Sequence, residues 1–332
     1  MLKMKRILSL AATCLLGGGL VAHTMAQTIS PGVGRELFRE DWRIAFVGPD
    51  PRGGGRYFVL RSIMPNGTGT IDLWGTRISL SNETYAGMDY ALVPNGQTVV
   101  YSAVDGTYVQ ARGRARTKIM NTIIENIDVS PDGLKLVYTR KVVTGGTDIY
   151  VSNIDGTGER QLTSARGAEV SPAWSPDGRK ILYAQGGGVS EIQRLMVMEA
   201  DGSGQRAITT GGITTPDAVK FSNGKWSPDG SKIVAIGYAG ATRQWQVYTL
   251  NADGTSPRQL TTEALMHSNP SWSPDGRKIL FARQISQLST AKWDIFLIDA
   301  DGTHLTNLTN TPDISEINPK WQAPAPFPRV RL

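Results

Sequence analysis

The chain has 332 residues, of which 37 are glycine and 18 are proline, and only 19% are charged. This composition indicates a turn-rich all-β protein and argues against a disordered chain. The formal net charge is +6, but Lys3, Lys5 and Arg6 supply three of the cations. The rest of the chain has 32 cationic and 29 acidic side chains. Its net charge is therefore small and gives little support for binding to nucleic acid.

Residues 1–26 are typical of a signal peptide. The three cations precede an apolar run that extends from Ile7 to about Val21, and Thr24-Met25-Ala26 resembles a cleavage site. The run is short for a membrane-spanning helix. We therefore expect a periplasmic or secreted protein, with no membrane span after cleavage and with an N-terminal extension at 27–41.

The one cysteine, Cys14, lies inside the apolar run. Lipid attachment at this residue is an alternative, although Thr13 stands where a smaller residue is expected. If cleavage follows Ala26, the mature protein has no cysteine, and neither disulfides nor thiol chemistry contribute.

A short sequence motif then recurs along the chain. Its copies open with NIDVSPDGLKLVYTR at 126–140, SPAWSPDGRKILYAQ at 171–185, GKWSPDGSKIVAIG at 224–237 and SNPSWSPDGRKILFARQ at 268–284. The proline of the Pro-X-Gly turn stands at 94, 131, 176, 228 and 274. These intervals of 37 to 52 residues are close to the length of one propeller blade.

Each copy predicts four antiparallel strands. Ser-Pro-Asp-Gly favours a type I turn, the apolar run behind it predicts a buried strand, and a later Asp-Gly pair predicts a tight hairpin. These pairs occur at Asp105, Asp155, Asp201, Asp253 and Asp301.

The sixth copy is split between the two ends of the repeat region. Residues 317–321 repeat the opening of a copy, whereas 43–47, 57–61 and 77–80 supply later strands. A C-terminal strand that completes the N-terminal blade would close the ring without free sheet edges. We therefore predict an all-β, six-bladed β-propeller at 42–322, followed by a Pro-rich tail at 323–332.

The text of the copies resembles a known family. Trp-Ser-Pro-Asp-Gly at 174–178, Lys-Ile-Leu-Tyr at 180–183, Asp-Ile-Tyr-Val at 148–151 and Asp-Gly-Thr-Gly at 155–158 are similar to the PD40 (WD40-like) repeat of TolB-type six-bladed propellers. TolB carries a separate α/β domain before its propeller, and only 27–41 stand in that place here. The resemblance therefore implies the propeller alone, in a cell-envelope setting.

The most conspicuous repeat residues are expected to be structural. Valine and leucine replace the tryptophan in two copies, so we expect packing between blades from Trp174, Trp226, Trp272 and Trp321. Asparagine replaces the turn aspartate once, which favours turn formation by Asp132, Asp177, Asp229 and Asp275. The Asp-Ala-Asp-Gly at 299–302 lacks the later acidic ligand of a calcium loop, and no metal site is predicted.

Three places before the tryptophan position, every copy has a small polar residue. These six residues are Asp89, Asn126, Ser171, Asn223, Asn269 and Asn318. Their side chains either satisfy backbone groups where the chain enters the inner strand, or form a polar ring at one mouth of the central channel. Such a ring would suit water, a cation or the end of a partner's peptide.

Two places further upstream the copies differ completely, with Gly87, Ile124, Glu169, Phe221, His267 and Glu316. Unlike residues on a repeated scaffold are candidates for a site. Glu169, His267 and Glu316 could converge on a cation or a sugar at the channel mouth, or form a solvated rim.

Four cations alternate at Arg112, Arg114, Arg116 and Lys118, and on one strand they would share a side. They would protect an outer edge strand, or form a basic patch for an anionic envelope polymer or an acidic protein surface.

The sequence contains no nucleophile elbow, phosphate-binding loop, dinucleotide fingerprint or paired zinc spacing. We therefore expect an exported, monomeric, non-enzymatic propeller without cofactors that binds an envelope protein or peptide. The alternative is a carbohydrate-active hydrolase or lyase that uses Glu169, His267 or Glu316.

Overall fold

The computed structural model describes residues 42–49, 57–79, 89–143, 145–165, 167–186, 193–209, 219–239, 244–288 and 292–323. The predicted signal peptide, extension and Pro-rich tail fall outside these residues, except for Ala323, and stay predictions. The described part of the chain is built from strands, turns and loops. In it, no helix has the length and apolar character needed to cross a membrane.

The strands form six four-stranded antiparallel sheets, which are the six blades of a propeller. Blade 1 contains β24 (Ile317–Gln322), β1 (Arg43–Pro49), β2 (Tyr57–Ile63) and β3 (Ile71–Ser79). Blade 2 contains β4 (Tyr90–Leu92), β5 (Thr98–Ala103), β6 (Gly106–Ala111) and β7 (Thr117–Met120). Blade 3 contains β8 (Glu125–Val129), β9 (Lys135–Lys141), β10 (Thr147–Asn153) and β11 (Arg160–Gln161).

The other three blades follow the same order from the inner to the outer strand. Blade 4 contains β12 (Glu169–Trp174), β13 (Lys180–Gln185), β14 (Arg194–Glu199) and β15 (Arg206–Ala207). Blade 5 contains β16 (Lys220–Trp226), β17 (Lys232–Ala239), β18 (Gln244–Asn251) and β19 (Arg258–Gln259). Blade 6 contains β20 (His267–Trp272), β21 (Lys278–Gln284), β22 (Trp293–Asp299) and β23 (Thr306–Asn307).

The predicted ring closure is confirmed. The last strand, β24, pairs antiparallel with β1, and Trp321 lies opposite Ile44. Blade 1 therefore takes its inner strand from the C-terminal end of the repeat region and its other three strands from the beginning.

Among the described residues, six apolar clusters hold the ring together, and each lies between two neighbouring blades. The pairs that represent them, in ring order from the junction of blades 1 and 2, are Val47 with Tyr90, Ala91 with Leu136, Val137 with Trp174, Leu182 with Ile233, Val234 with Phe281, and Leu280 with Ile44. The second strand of each copy is apolar on both faces because each face packs against a different blade.

The repeated turns form as the sequence predicts. In blade 4, the Ser175 hydroxyl donates to Asp177 Oδ1 at 2.6 Å, and Asp177 Oδ1 also accepts from the Arg179 amide at 3.1 Å. Gly178 closes the turn at φ +70°, a conformation that glycine adopts at little cost. These contacts confirm that the aspartate is a turn former.

The Asp-Gly pairs divide into two groups. Four of them connect the third strand of a blade to its short fourth strand, as Asp155 does between β10 and β11. Asp105 instead lies in the turn between β5 and β6, where Ala103 pairs with Gly106. The dipeptide marks a tight hairpin in every case, but its place in the blade differs.

The ring has two unlike faces. The loop face carries the connections that lead into each inner strand, such as 121–124 and 260–266. The turn face carries the Ser-Pro-Asp-Gly turns at the opposite ends of the same strands. Any ligand of the channel therefore meets one of these two surfaces first.

Candidate functional site

A central cavity of about 310 Å³ runs between the inner strands of all six blades. We call it the channel cavity. Its wall includes residues on or directly before each inner strand, among them Asp89, Asp128, Ser171, Lys225, Asn269 and Lys320.

The small polar residues three places before the tryptophan position border this cavity in five of the six blades. In five blades they also share an unusual backbone, with φ between +50° and +54° at Asn126, Ser171, Asn223, Asn269 and Asn318. Asparagine tolerates this left-handed conformation better than most residues. In all five of these blades the conformation coincides with a bulge in the pairing of the inner strand with its neighbour.

Several of these side chains also connect neighbouring blades. Asp89 Oδ2 accepts from the Ile127 amide at 2.7 Å, Asn126 Oδ1 accepts from the Ser171 amide at 3.1 Å, and the Ser171 hydroxyl donates to Asn223 Oδ1 at 2.6 Å. Asp89 and Asn126 therefore do what the first alternative predicted for this position, because their side chains satisfy backbone N–H groups. Their placement beside the cavity leaves a binding role as a proposal.

Three charged residues of the channel wall, Asp128, Lys225 and Lys320, were not predicted from the sequence. One place before the tryptophan position the six copies carry Ala91, Asp128, Ala173, Lys225, Ser271 and Lys320. Lys225 Nζ lies 3.6 Å from Asp128 Oδ1, and Lys320 Nζ lies 3.4 Å from Asp89 Oδ1. Two opposite-charge pairs thus meet in one cavity. The sequence contained a signal for them, because three of the six copies carry a charged residue at this one repeat position.

Burial in the channel lowers the pKa of Lys225, and the nearby charge of Lys320 lowers it further. Asp128 partly offsets both effects because its negative charge favours the ammonium form. The electrostatics of the cavity therefore depend on all four charged side chains together.

Glu169, His267 and Glu316 occupy neither a solvated rim nor a common site. Their exposed fractions are 0%, 2% and 2%. Contacts with Thr163, Trp245 and Asp294, respectively, place them at three separate junctions, between blades 3 and 4, 5 and 6, and 6 and 1. The expectation was wrong because each side chain packs against the preceding blade. Gly87, from the same repeat position, lies outside the described residues.

The surroundings of the two glutamates are similar. Glu169 Oε1 accepts from the side-chain Nε2 of Gln185 at 3.2 Å, and burial raises the pKa of Glu169 to about 7. Glu316 accepts from the Thr311 hydroxyl at 2.8 Å, and burial raises its pKa too. Both groups favour the protonated form more than an exposed glutamate does.

His267 is held neutral. Its Nδ1–H donates to the Trp245 carbonyl at 3.0 Å, and burial lowers its pKa to about 4. A base of this pKa inside a blade junction is poorly suited to general acid–base catalysis near neutral pH.

The repeat tryptophans pack as predicted. Trp174 and Trp272 are 7% and 8% exposed and belong to the clusters between blades 3 and 4 and between blades 5 and 6. All four indole N–H groups are buried without an acceptor in the described part of the chain.

The four alternating cations do not share one strand. Arg112 and Arg114 lie in the turn after β6, Arg116 precedes β7, and only Lys118 is on that strand. Arg116 stacks 4.1 Å above the Tyr108 ring, and Lys118 donates to the Asp105 carbonyl at 2.7 Å. The prediction of a single basic strand face is therefore wrong, although β7 is the outer edge strand of blade 2. All four cations are exposed, so a basic patch stays a proposal.

Within the described ranges, no group of three or more histidine, cysteine, aspartate or glutamate side chains is arranged to hold a metal ion. At the Asp-Ala-Asp-Gly segment, Asp299 pairs with Lys278 and with His304.

Comparison with known families agrees with the geometry. The TolB beta propeller domain family, PD40, matches residues 107–324, which are about two thirds of the chain. The chain belongs to the PD40 family. The PD40 match begins in blade 2 and extends through β24, so it includes the strand that closes the ring.

Curated relatives match this PD40 propeller over shorter stretches. It is 30% identical over 119 residues to the Protein TolB homolog of Chlorobium luteolum, covering 33% of this chain and 26% of that protein. It is 32% identical over 98 residues to dipeptidyl-peptidase 5 of Porphyromonas endodontalis, covering 27% of this chain and 14% of that protein. The chain therefore spans about a quarter or less of the length of these relatives.

Solved structures share the PD40 propeller fold. TolB from Acinetobacter baumannii has a TM-score of 0.67 at 18% identity, over 87% of this chain and 69% of that chain. Putative TolB from Agrobacterium tumefaciens has a TM-score of 0.61 at 20% identity, over 86% and 99%. Oligogalacturonate lyase from Vibrio parahaemolyticus has a TM-score of 0.53 at 10% identity, over 79% and 78%. At these identities the likeness shows the fold alone.

Proposed function

We propose that this protein is an exported, non-enzymatic propeller of the cell envelope that binds a protein partner at its loop face, with a peptide segment of the partner in the channel. It acts in the periplasm or after secretion, as a monomer. The observation that carries the proposal is the meeting of Asp89, Asp128, Lys225 and Lys320 in one open cavity. Four charges from four blades, together with the small polar residues beside them, make this cavity a polar site.

Exposed apolar side chains on the loop face support a protein partner. Val104 and Ile123 are 47% and 46% exposed. Their loops lie together because the Ser102 hydroxyl donates to the Ile124 carbonyl at 2.7 Å and the Thr107 hydroxyl donates to the Thr122 carbonyl at 2.8 Å. Val143, in the neighbouring loop of blade 3, is fully exposed. Apolar surface beside a polar cavity is typical of protein-binding sites.

The positions of the candidate catalytic residues disfavour the carbohydrate-active alternative. The junctions that hold Glu169 and Glu316 lie on opposite sides of the six-bladed ring. Paired-carboxylate glycosidases require two such groups within about 10 Å of each other. His267 lies at a third junction and is neutral.

Site-specific photo-cross-linking in living cells tests the proposed function. A photoreactive residue at Ile123, on the loop face, is expected to capture one or a few envelope proteins, to be identified by mass spectrometry. Leu134 provides the matched control, because it is 62% exposed and follows the turn at the opposite end of β8. Equal capture at both positions, or none at Ile123, would contradict the proposal.

A further inference from the structure

The two aspartates of the channel cavity already use their oxygens on protein donors. Asp89 Oδ1 accepts from the Tyr90 amide at 2.8 Å, and Oδ2 accepts from the Ile127 amide at 2.7 Å. Asp128 Oδ2 accepts from the Trp174 amide at 2.9 Å. These carboxylates thus connect neighbouring blades, and the hydrogen bonds from backbone N–H groups satisfy much of their capacity to accept.

The two lysines are less well satisfied. Lys225 Nζ lies 3.5 Å from the Pro172 carbonyl and 3.6 Å from Asp128 Oδ1, and both distances are longer than an ordinary charge-assisted hydrogen bond. Lys320 Nζ donates to the Tyr90 carbonyl and lies 3.4 Å from both Asp89 Oδ1 and the Ile127 carbonyl. An ammonium has three donors. Lys225, with two long contacts, can bind a further acceptor, and Lys320 can exchange one of its 3.4 Å contacts for a shorter hydrogen bond.

The two ammonium groups also act on each other. The charge of Lys320 disfavours the charged form of Lys225, and both side chains are only partly exposed, at 25% and 30%. An anion near both would relieve this repulsion, whereas a cation would increase it.

We propose that the channel cavity binds a carboxylate of the partner protein, either an acidic side chain or the C-terminus, at Lys225 and Lys320. This inference rests on the proposed function and specifies its ligand chemistry. A volume of about 310 Å³ holds roughly ten water molecules at about 30 Å³ each. That is room for a side chain or a chain end, and not for a folded element.

Calorimetric titration of the purified full-length protein at low ionic strength tests the carboxylate site. The probes are glutarate and 1,5-diaminopentane, which have chains of equal length and opposite charge. We expect saturable binding of glutarate alone, weakened roughly tenfold to a hundredfold in Lys225→Met and Lys320→Met, as for the loss of a charged hydrogen bond. Lys141→Met, an exposed lysine of the loop face, should bind glutarate as the wild type does.

Preferential binding of the diamine, absence of saturable glutarate binding, or unchanged affinity in both channel variants would overturn the inference. Lys225→Arg and Lys320→Arg retain the positive charge and should bind glutarate more tightly than the methionine variants. The near-ultraviolet circular dichroism of the tryptophans shows whether each variant is folded, and the arginine variants keep the test decisive if a methionine variant is not.

Cross-linking separates this inference from the proposed function. If the residue at position 123 captures the same proteins in the Lys225→Met/Lys320→Met double variant as in the wild type, the carboxylate site is contradicted and the binding function stands. If the wild type captures no protein, the binding function fails whatever the glutarate titration shows.

Discussion

The buried carboxyl groups of Asp148 and Glu169 meet across the junction between blades 3 and 4. Asp148 is on β10, and its Oδ2 accepts from the side-chain Nε2 of Gln161 at 2.6 Å, whereas Glu169 begins the inner strand of the next blade. The same arrangement recurs on the opposite side of the ring, where Asp294 on β22 neighbours Glu316 and raises its pKa together with burial. In both pairs the neighbouring aspartate, together with burial, disfavours the charged form of the glutamate.

Glu169→Gln should stabilise the protein at pH 8 and change its stability little at pH 4.5. The folded-state pKa of Glu169 is about 7, above its ordinary value of 4.5. As pH rises from 4.5 to 7, the unfolded chain loses this proton while the folded chain keeps it, so stability falls. The shift corresponds to about 3 kcal/mol. Urea unfolding across this pH range checks the prediction, with the exposed Glu199→Gln as control; parallel pH profiles for both variants would contradict it.

His267→Gln should have the opposite effect on the pH profile. The folded-state pKa of His267 is about 4, below its ordinary value of 6.5. As pH falls from 6.5 to 4, the unfolded chain gains a proton that the folded chain does not bind, and stability is lost. The variant should lose less stability in acid than the wild type. The effects of His267 and Glu169 oppose each other between pH 4.5 and 6.5, so a flatter wild-type profile than either variant's is expected in the same unfolding series.

Asp229→Ala should destabilise blade 5 by about 1 kcal/mol or more. Asp229 accepts from the Ser227 hydroxyl at 2.6 Å and from the Ser231 amide at 3.0 Å, and these bonds lower its pKa to about 2. Asp229→Asn keeps a side-chain carbonyl oxygen that can accept. In blade 2, Asn95 occupies the same turn position, and its Oδ1 accepts from the Gln97 backbone amide at 2.8 Å. Thermal unfolding should therefore rank the wild type first, Asn second and Ala last; an Asn variant as unstable as Ala would show that the charge matters more than the turn geometry.

Removal of residues 316–332 should abolish cooperative unfolding, because blade 1 would lose its inner strand and both neighbouring junctions would open. Trp321→Ala, a milder change to the half-buried indole that packs beside Ile44 and Leu280, should cost roughly 2 kcal/mol. Removal of 324–332 alone keeps β24 and is the matched control. Calorimetry of the three proteins checks the prediction, which fails if the longer truncation still unfolds in one sharp transition.

The architecture could be predicted because its signals are local and repeated. Ser-Pro-Asp-Gly determines its turn through contacts within a few residues, and the text at 317–321 identifies the displaced strand. The burial of Glu169 could not be predicted in this way, because its partner Asp148 belongs to the preceding blade and lies 21 positions earlier. The identity of the residue at one repeat position does not reveal which neighbouring blade packs over its side chain.

The channel charges and the basic segment were missed or misplaced for different reasons. Lys225 and Lys320 differ from the residues at the same position in other copies, so the repeat pattern gave no consensus there. Alternation at 112–118 suggested a strand, but Gly113, at φ +71°, lies in a turn. Charge spacing alone does not determine backbone conformation.

The pairing of β24 with β1 also makes the molecule suitable for circular permutation. Gln322 lies opposite Arg43. In blade 4 the residue that corresponds to Gln322 is Ser175, and the residue that corresponds to Arg43 is Lys180. There, Pro176, Asp177 and Gly178 are followed by Arg179, whose counterpart in blade 1 is Trp42. A linker of three residues from Gln322 to Trp42 would thus rebuild a standard turn, and new termini could be opened between any two blades.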